Sequence, residues 1–105
     1  MRILVSAVAK KQLADRQDWW RRHRPSAPEL FDREFADVVD RIRRAPESFP
    51  VFVARDEHVI RRGLMRKTRC HLYFEVRLSE NEIWLLGAGG SQRRRSPRLR
   101  FQDAP

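Results

Sequence analysis

Four side chains that can exchange protons or recognise charge alternate along one stretch of the chain. His71, Tyr73, Glu75 and Arg77 interleave with Cys70, Leu72, Phe74 and Val76. A period of two places each set on its own face of a β-strand. The apolar set must meet a core. That leaves an imidazole, a phenol, a carboxylate and a guanidinium together on an open, solvent-accessible face. An imidazole changes charge near neutral pH. A phenol, with an ordinary pKa of about 10, gives up its proton reluctantly. The same positions also suit a solvent-facing structural histidine and a half-exposed strand tyrosine. Upstream, Arg61 and Arg62 are adjacent, so they point to opposite faces. One must meet the rim of the core, where an acid would pair with it, and the other faces out.

Other residue types exclude chemistry. A single cysteine, Cys70, makes neither an internal disulfide nor a structural zinc site. Gly87, Gly89 and Gly90 lack the strand–loop–helix context of a phosphate loop. The sequence therefore implies no metal and no cofactor. No run of 18 or more apolar residues exists to span a bilayer, and the N-terminal segment lacks the apolar length of a signal peptide. The expected compartment is the cytoplasm.

Charge is the dominant feature of the composition. Lys and Arg total 23 against 14 Asp and Glu, a net of +9, and all but Lys10, Lys11 and Lys67 of these cations are arginine. Arginine is favoured where planar, bidentate contacts to carboxylate or phosphate matter, although a GC-rich genome produces the same bias. Such a field attracts polyanions, whether nucleic acid or an acidic protein. At 105 residues, 41% hydrophobic, the chain suits one domain with one core. The expected domain spans residues 1–92, followed by a basic tail at 93–105.

The elements that must position these groups are legible in order. Residues 2–5 read as a first strand, and Ser6 as the N-cap of a helix over about 7–23. Ala9, Leu13 and Trp20 lie near one face of that helix. Trp19 and Trp20 point about 100° apart, so one belongs at the edge of the hairpin. Ser26-Ala27-Pro28-Glu29 has the form of a capping box for a second helix over about 27–44. Phe31, Phe35, Val38 and Ile42 then recur on one face. Val51-Phe52-Val53 is either a short strand or an apolar loop anchor. Strands are expected at 58–64, 70–77 and 82–88, with a turn at Ser79-Glu80-Asn81. The order β-α-α-β-β-β implies an α+β domain, with the N-terminal strand and helical hairpin packed on one face of a mainly antiparallel sheet. The expected core is Phe31, Phe35, Val38, Ile42, Leu72, Phe74, Val76 and Ile83.

Four segments carry a resemblance. They are DRQDWWRRHRP, the helix running into RRAPESFP, IRRGLMRKTRCHLYFEVR, and IWLLGAGGSQRRRSPRL. In order and spacing they resemble the RelE/ParE family of toxins from type II toxin–antitoxin systems, over residues 3 to about 99. The resemblance implies a compact α+β toxin associated with plasmid stabilisation and neutralised by an acidic, partly disordered antitoxin. On this chain the antitoxin contacts would fall on Arg61, Arg62, Arg77 and Trp19.

The family divides by target. RelE-like members cut ribosome-bound mRNA, using arginines on the open sheet face and a C-terminal tyrosine or histidine. In this sequence His71 aligns with the arginine expected on the penultimate strand, and no tyrosine or histidine follows Tyr73. RNA cleavage needs a base, an acid and cations for the phosphorane. On that reading His71 is one proton-transfer group, Tyr73 or Glu75 the other, and Arg62, with Arg93 or Arg94, supplies charge. ParE-like members instead poison DNA gyrase, which needs a shaped basic surface and no proton-transfer pair. The tail arginines Arg93, Arg94, Arg95 and Arg98 provide one. The resemblance thus implies a gyrase inhibitor, with a ribosome-dependent endoribonuclease or a non-toxic basic nucleic-acid-binding domain as alternatives.

Overall fold

A computed structural model of the chain describes residues 1–90. The order is β1 (Arg2–Val5), α1 (Ala7–His23), α2 (Leu30–Arg44), a 3-10 turn (Pro46–Ser48), β2 (Val51–Arg55), β3 (His58–Met65), β4 (Cys70–Arg77), a second 3-10 turn (Leu78–Glu80) and β5 (Glu82–Gly90). The strands form one sheet in the order β1-β5-β4-β3-β2. β1 pairs parallel with β5, and all other neighbours are antiparallel. Both helices lie against one face, giving the expected α+β architecture. Val51–Arg55 is a fifth strand at the sheet's edge, so the order is β-α-α-β-β-β-β.

Ser6 opens α1 as expected, its Oγ accepting from Ala9 N at 3.1 Å. The second helix starts later than the capping box implies. Glu29 occupies its N-cap position in helical backbone geometry, with no side-chain capping bond. The reason lies in Ala27. Its carbonyl accepts from Leu30 N at 3.2 Å and from the Trp20 indole at 2.7 Å, which holds residues 24–29 in tight turns instead of a helical first turn. Trp20 is thereby the tryptophan that turns inward, while Trp19 sits half-buried at the edge.

The core between helices and sheet contains Trp20, Phe31, Val38, Ile42, Phe49, Met65, Leu72, Phe74, Ile83 and Leu85. Phe35 and Val76 are only partly buried against it, so they belong to its rim rather than its centre. α2 and the chain after the 3-10 turn approach closely at Gly63 on β3. A Cβ there would lie 3.0 Å from Phe49 Cε1 and 3.5 Å from Val38 Cγ1. Arg61, on the same face, donates from Nη1 to the Phe49 carbonyl at 2.8 Å. It pairs with a backbone oxygen rather than the acid expected for it, because the chain leaving the 3-10 turn brings that carbonyl over β3.

The link between α2 and the β3–β4 turn is a single carboxylate. Glu34 accepts from Lys67 N at 2.7 Å, Thr68 N at 2.8 Å and Thr68 Oγ1 at 2.7 Å. Thr68 is buried, so water does not readily replace its two bonds. Glu34→Ala is expected to cost about 1–3 kcal/mol through the stranded donors. Phe74→Ala, which empties a fully buried site, is expected to cost about 3–5 kcal/mol. Phe35→Ala should cost less than Phe74→Ala, and urea unfolding of the three variants checks the ranking.

Candidate functional site

The face of the sheet turned away from the helices carries His71, Tyr73, Glu75 and Arg77, as the alternation requires. It is not the open polar surface expected. Tyr73 is 2% exposed and Glu75 4%. Ile60 of β3, Trp84 and Leu86 of β5, and the partly buried Leu4, Phe52 and Val53 form a second apolar cluster around Tyr73. Two bulges build it. The register shift in β2 between Val51 and Val53 frees Phe52, whose ring meets Tyr73 edge-on at 4.8 Å. The shift between β4 and β5 at Tyr73/Phe74 makes Leu86 the extra residue of β5. Beyond that bulge Ala88 joins the helix-side core, and its N–H is held by Gln12 Oε1 at 2.8 Å.

A carboxylate within this cluster needs compensation. Glu75 has it twice. His58 Nδ1 donates to Oε2 at 2.6 Å, and Arg77 Nε donates to Oε1 at 3.0 Å. The Arg77 guanidinium also lies over the Trp84 ring, 5.3 Å from its centroid. Trp84 Nε1 donates to Glu82 Oε1 at 3.1 Å, and Arg2 bonds the other oxygen of Glu82. These bonds, Arg2's above all, hold the Glu82 carboxyl below its ordinary pKa. His58, Glu75, Arg77, Trp84, Glu82 and Arg2 therefore run as one polar chain across four strands. Sequence reasoning missed His58 and Glu82. Both close ladder pairs at strand ends, His58 opposite Arg55 and Glu82 opposite Arg2 and Arg77, and such end positions were the available clue.

The residues assigned to nuclease chemistry are thus only partly assembled. His71 and Tyr73 lie with ring centroids 6.1 Å apart, and Arg62 opposes Tyr73 in the ladder. His71 and Arg62 are half-buried, whereas Tyr73 and Glu75 are buried. Burial, with the Arg62 charge second, lowers the His71 pKa from its ordinary value, so the imidazole is neutral at pH 7. Arg62 itself lies over Phe52 at 5.2 Å.

The residues assigned to an acidic partner fare similarly. Arg61 and Arg77 are engaged within the domain. Trp19 is flanked by His23, stacked at 4.4 Å and 14°, and by the Arg16 guanidinium at 5.0 Å. Arg93, Arg94, Arg95 and Arg98 lie outside the described residues. Among the described residues, no group of three or more His, Cys, Asp or Glu is placed to hold a metal ion. No helix there is long and apolar enough to cross a membrane. Set against known proteins, the chain matches no family model, no curated protein and no solved structure.

The His71 environment has a direct test. With the folded pKa below the unfolded one, the unfolded chain binds more protons between the two values. His71 therefore leaves stability unchanged above its ordinary pKa, and stability falls as pH drops through that window. Imidazole NMR titration should give a depressed pKa for His71. Arg62→Met should raise it part of the way back, since burial remains. A His71 titrating at the value of a model peptide would contradict this account.

Proposed function

We propose that the chain is the toxin of a type II toxin–antitoxin pair of the RelE/ParE kind, acting by binding DNA gyrase rather than by cutting RNA. The observation that supports binding over cleavage is the state of the groups around His71. A nuclease needs a second proton-transfer group that can reach its substrate. Tyr73 is enclosed by Phe52, Ile60 and Trp84, and Glu75 already accepts from His58 and Arg77. Neither is presented to an incoming ribose. A binding toxin has no such requirement. Its basic surface, including Arg93, Arg94, Arg95 and Arg98 of the tail, is suited to a large anionic target.

Ribosome-dependent mRNA cleavage is the second reading, and it draws on His71 alone. A neutral imidazole beside the Arg62 guanidinium is a competent base next to a cation. On either reading the partner is a small acidic antitoxin, whose carboxylates meet exposed arginines other than Arg61 and Arg77.

Expression in a bacterial host separates the two. If gyrase is the target, induction halts growth with DNA damage, purified gyrase loses supercoiling activity when the protein is added, and ribosome-bound mRNA stays intact. His71→Ala then leaves toxicity nearly unchanged, while replacing the tail arginines with serine abolishes it. Loss of toxicity in His71→Ala, with fold and antitoxin binding retained, moves the nuclease reading ahead. Antitoxin association should also slow as salt is raised, because exposed charges steer the encounter and are screened.

A further inference from the structure

At the far end of the molecule from Glu82, the C-terminal turn of α1 and the β3–β4 turn enclose a cavity of about 290 Å³. Four cationic side chains line it: Arg16 from the middle of α1, Arg24 from its C-cap, and Lys67 and Arg69 from the turn. Among the described residues none of the four forms an ion pair, although arginines elsewhere pair with Glu75, Asp18, Asp32 and Asp40. The carboxylate at this turn, Glu34, has both oxygens committed to the Lys67 and Thr68 amides and the Thr68 hydroxyl. The neighbouring cavity between α2 and β3 makes the contrast. There Arg41, Arg44, Arg66 and Lys67 face Glu34, Asp37 and Asp40, so most of the positive charge is matched within the lining.

Arg16 is the least satisfied member. Its Nε is buried with no hydrogen-bond partner. Its guanidinium lies beside the Trp19 ring and the Cys70 thiol, both uncharged. The thiol is fully buried, and burial pushes its pKa up to about 11, so it offers no negative charge at neutral pH. The guanidinium lies beside Gly90, where a Cβ would stand in ordinary contact, 3.5 Å from Nη1. Arg69 is held in a left-handed backbone conformation, φ 61°, at the lip of the cavity.

We infer that this cavity, formed by Arg16, Arg24, Lys67 and Arg69, is a binding site for a phosphate group. Four converging cations call for more charge than one carboxylate carries, and guanidinium forks match phosphate oxygens bidentately. The recognition is of phosphate rather than of a base. The Trp19 ring already stacks on His23 and carries the Arg16 guanidinium, and the Trp20 indole N–H is spent on the Ala27 carbonyl, so both aromatics at the cavity are engaged within the domain. The site does not depend on the toxin reading.

Pyrophosphate is the probe. Titrated calorimetrically into the full chain at neutral pH and low ionic strength, in phosphate-free buffer, it should saturate a single site. Arg16→Met and Lys67→Met should each weaken binding about tenfold or more, since each deletes a charge-assisted bond. Arg43→Met removes the same charge from the exposed end of α2 and should change affinity by no more than about twofold, as a screened distant charge does. Lys67 is exposed, so its variant remains informative even if Arg16→Met fails to fold. Single-stranded RNA that competes with pyrophosphate assigns the phosphate to a polynucleotide. Failure to compete assigns it to a free phosphate compound, and either result keeps the site. Absence of saturable binding overturns the proposal. So does an equal loss in Arg43→Met, or a tetraglutamate peptide that binds more tightly than pyrophosphate and does so through Arg16.

Discussion

A strand with hydrogen-bonded neighbours on both sides and apolar side chains on both faces has to be covered twice. β5 is such a strand. Ile83 and Leu85 are buried toward the helices, Trp84 and Leu86 on the opposite side, all at 5% exposure or less. Everything else accommodates that demand. β1 and β4 flank it, α1 holds its N–H at Ala88 through Gln12, and Ser6 reaches back to donate from its N–H to the Leu85 carbonyl and from its Oγ to the Leu86 carbonyl. The second apolar cluster is the other half of the same requirement. Burying its side chains is worth roughly 1.5–3 kcal/mol for each large one. Enclosing Glu75 beside them is tolerable because His58 and Arg77 come with it.

Most of the architecture can be read from side-chain periodicity. The alternation in 70–77 and the i, i+4, i+7, i+11 spacing from Phe31 are local patterns, and local patterns survive into the fold. The start of α2 is not local in that sense. Ser26 and Glu29 have the residue types of a capping box, but the indole of Trp20, seven residues before Ala27, takes the carbonyl that a helical first turn would use. Phe35 shows the same limit from the other direction. Its spacing marks a core face, yet a stripe of that width has a rim as well as a centre, and Phe35 falls on the rim.

The candidate site was less legible, and for a physical reason. Polar residue types point to solvent unless partners at long range say otherwise. Glu75 has one partner two residues away and another seventeen away, and neither distance forms a motif. The unbroken apolar run of β5 did carry information, since runs without alternation mark strands buried on both faces. A strand of that kind implies a second apolar cluster around Tyr73 and Glu75. The four cations around Arg16 are harder still. They come from two segments some fifty residues apart and meet only because α1 and the β3–β4 turn end at the same edge of the sheet.

β1 has a consequence for how the chain is made. Among the described residues its partner in the sheet is β5, and Arg2 to Val5 pair with Glu82 to Leu85. The residues of β1 must therefore wait for residues synthesised some eighty positions later before their backbone donors are matched. Contacts of such sequence separation delay folding, because chain closure is an entropic cost met before any contact repays it. The helical hairpin can form during synthesis, but the sheet cannot close without β5, which joins β1 to β4. The nascent chain thus holds no finished surface, basic or otherwise, until translation has passed Gly90.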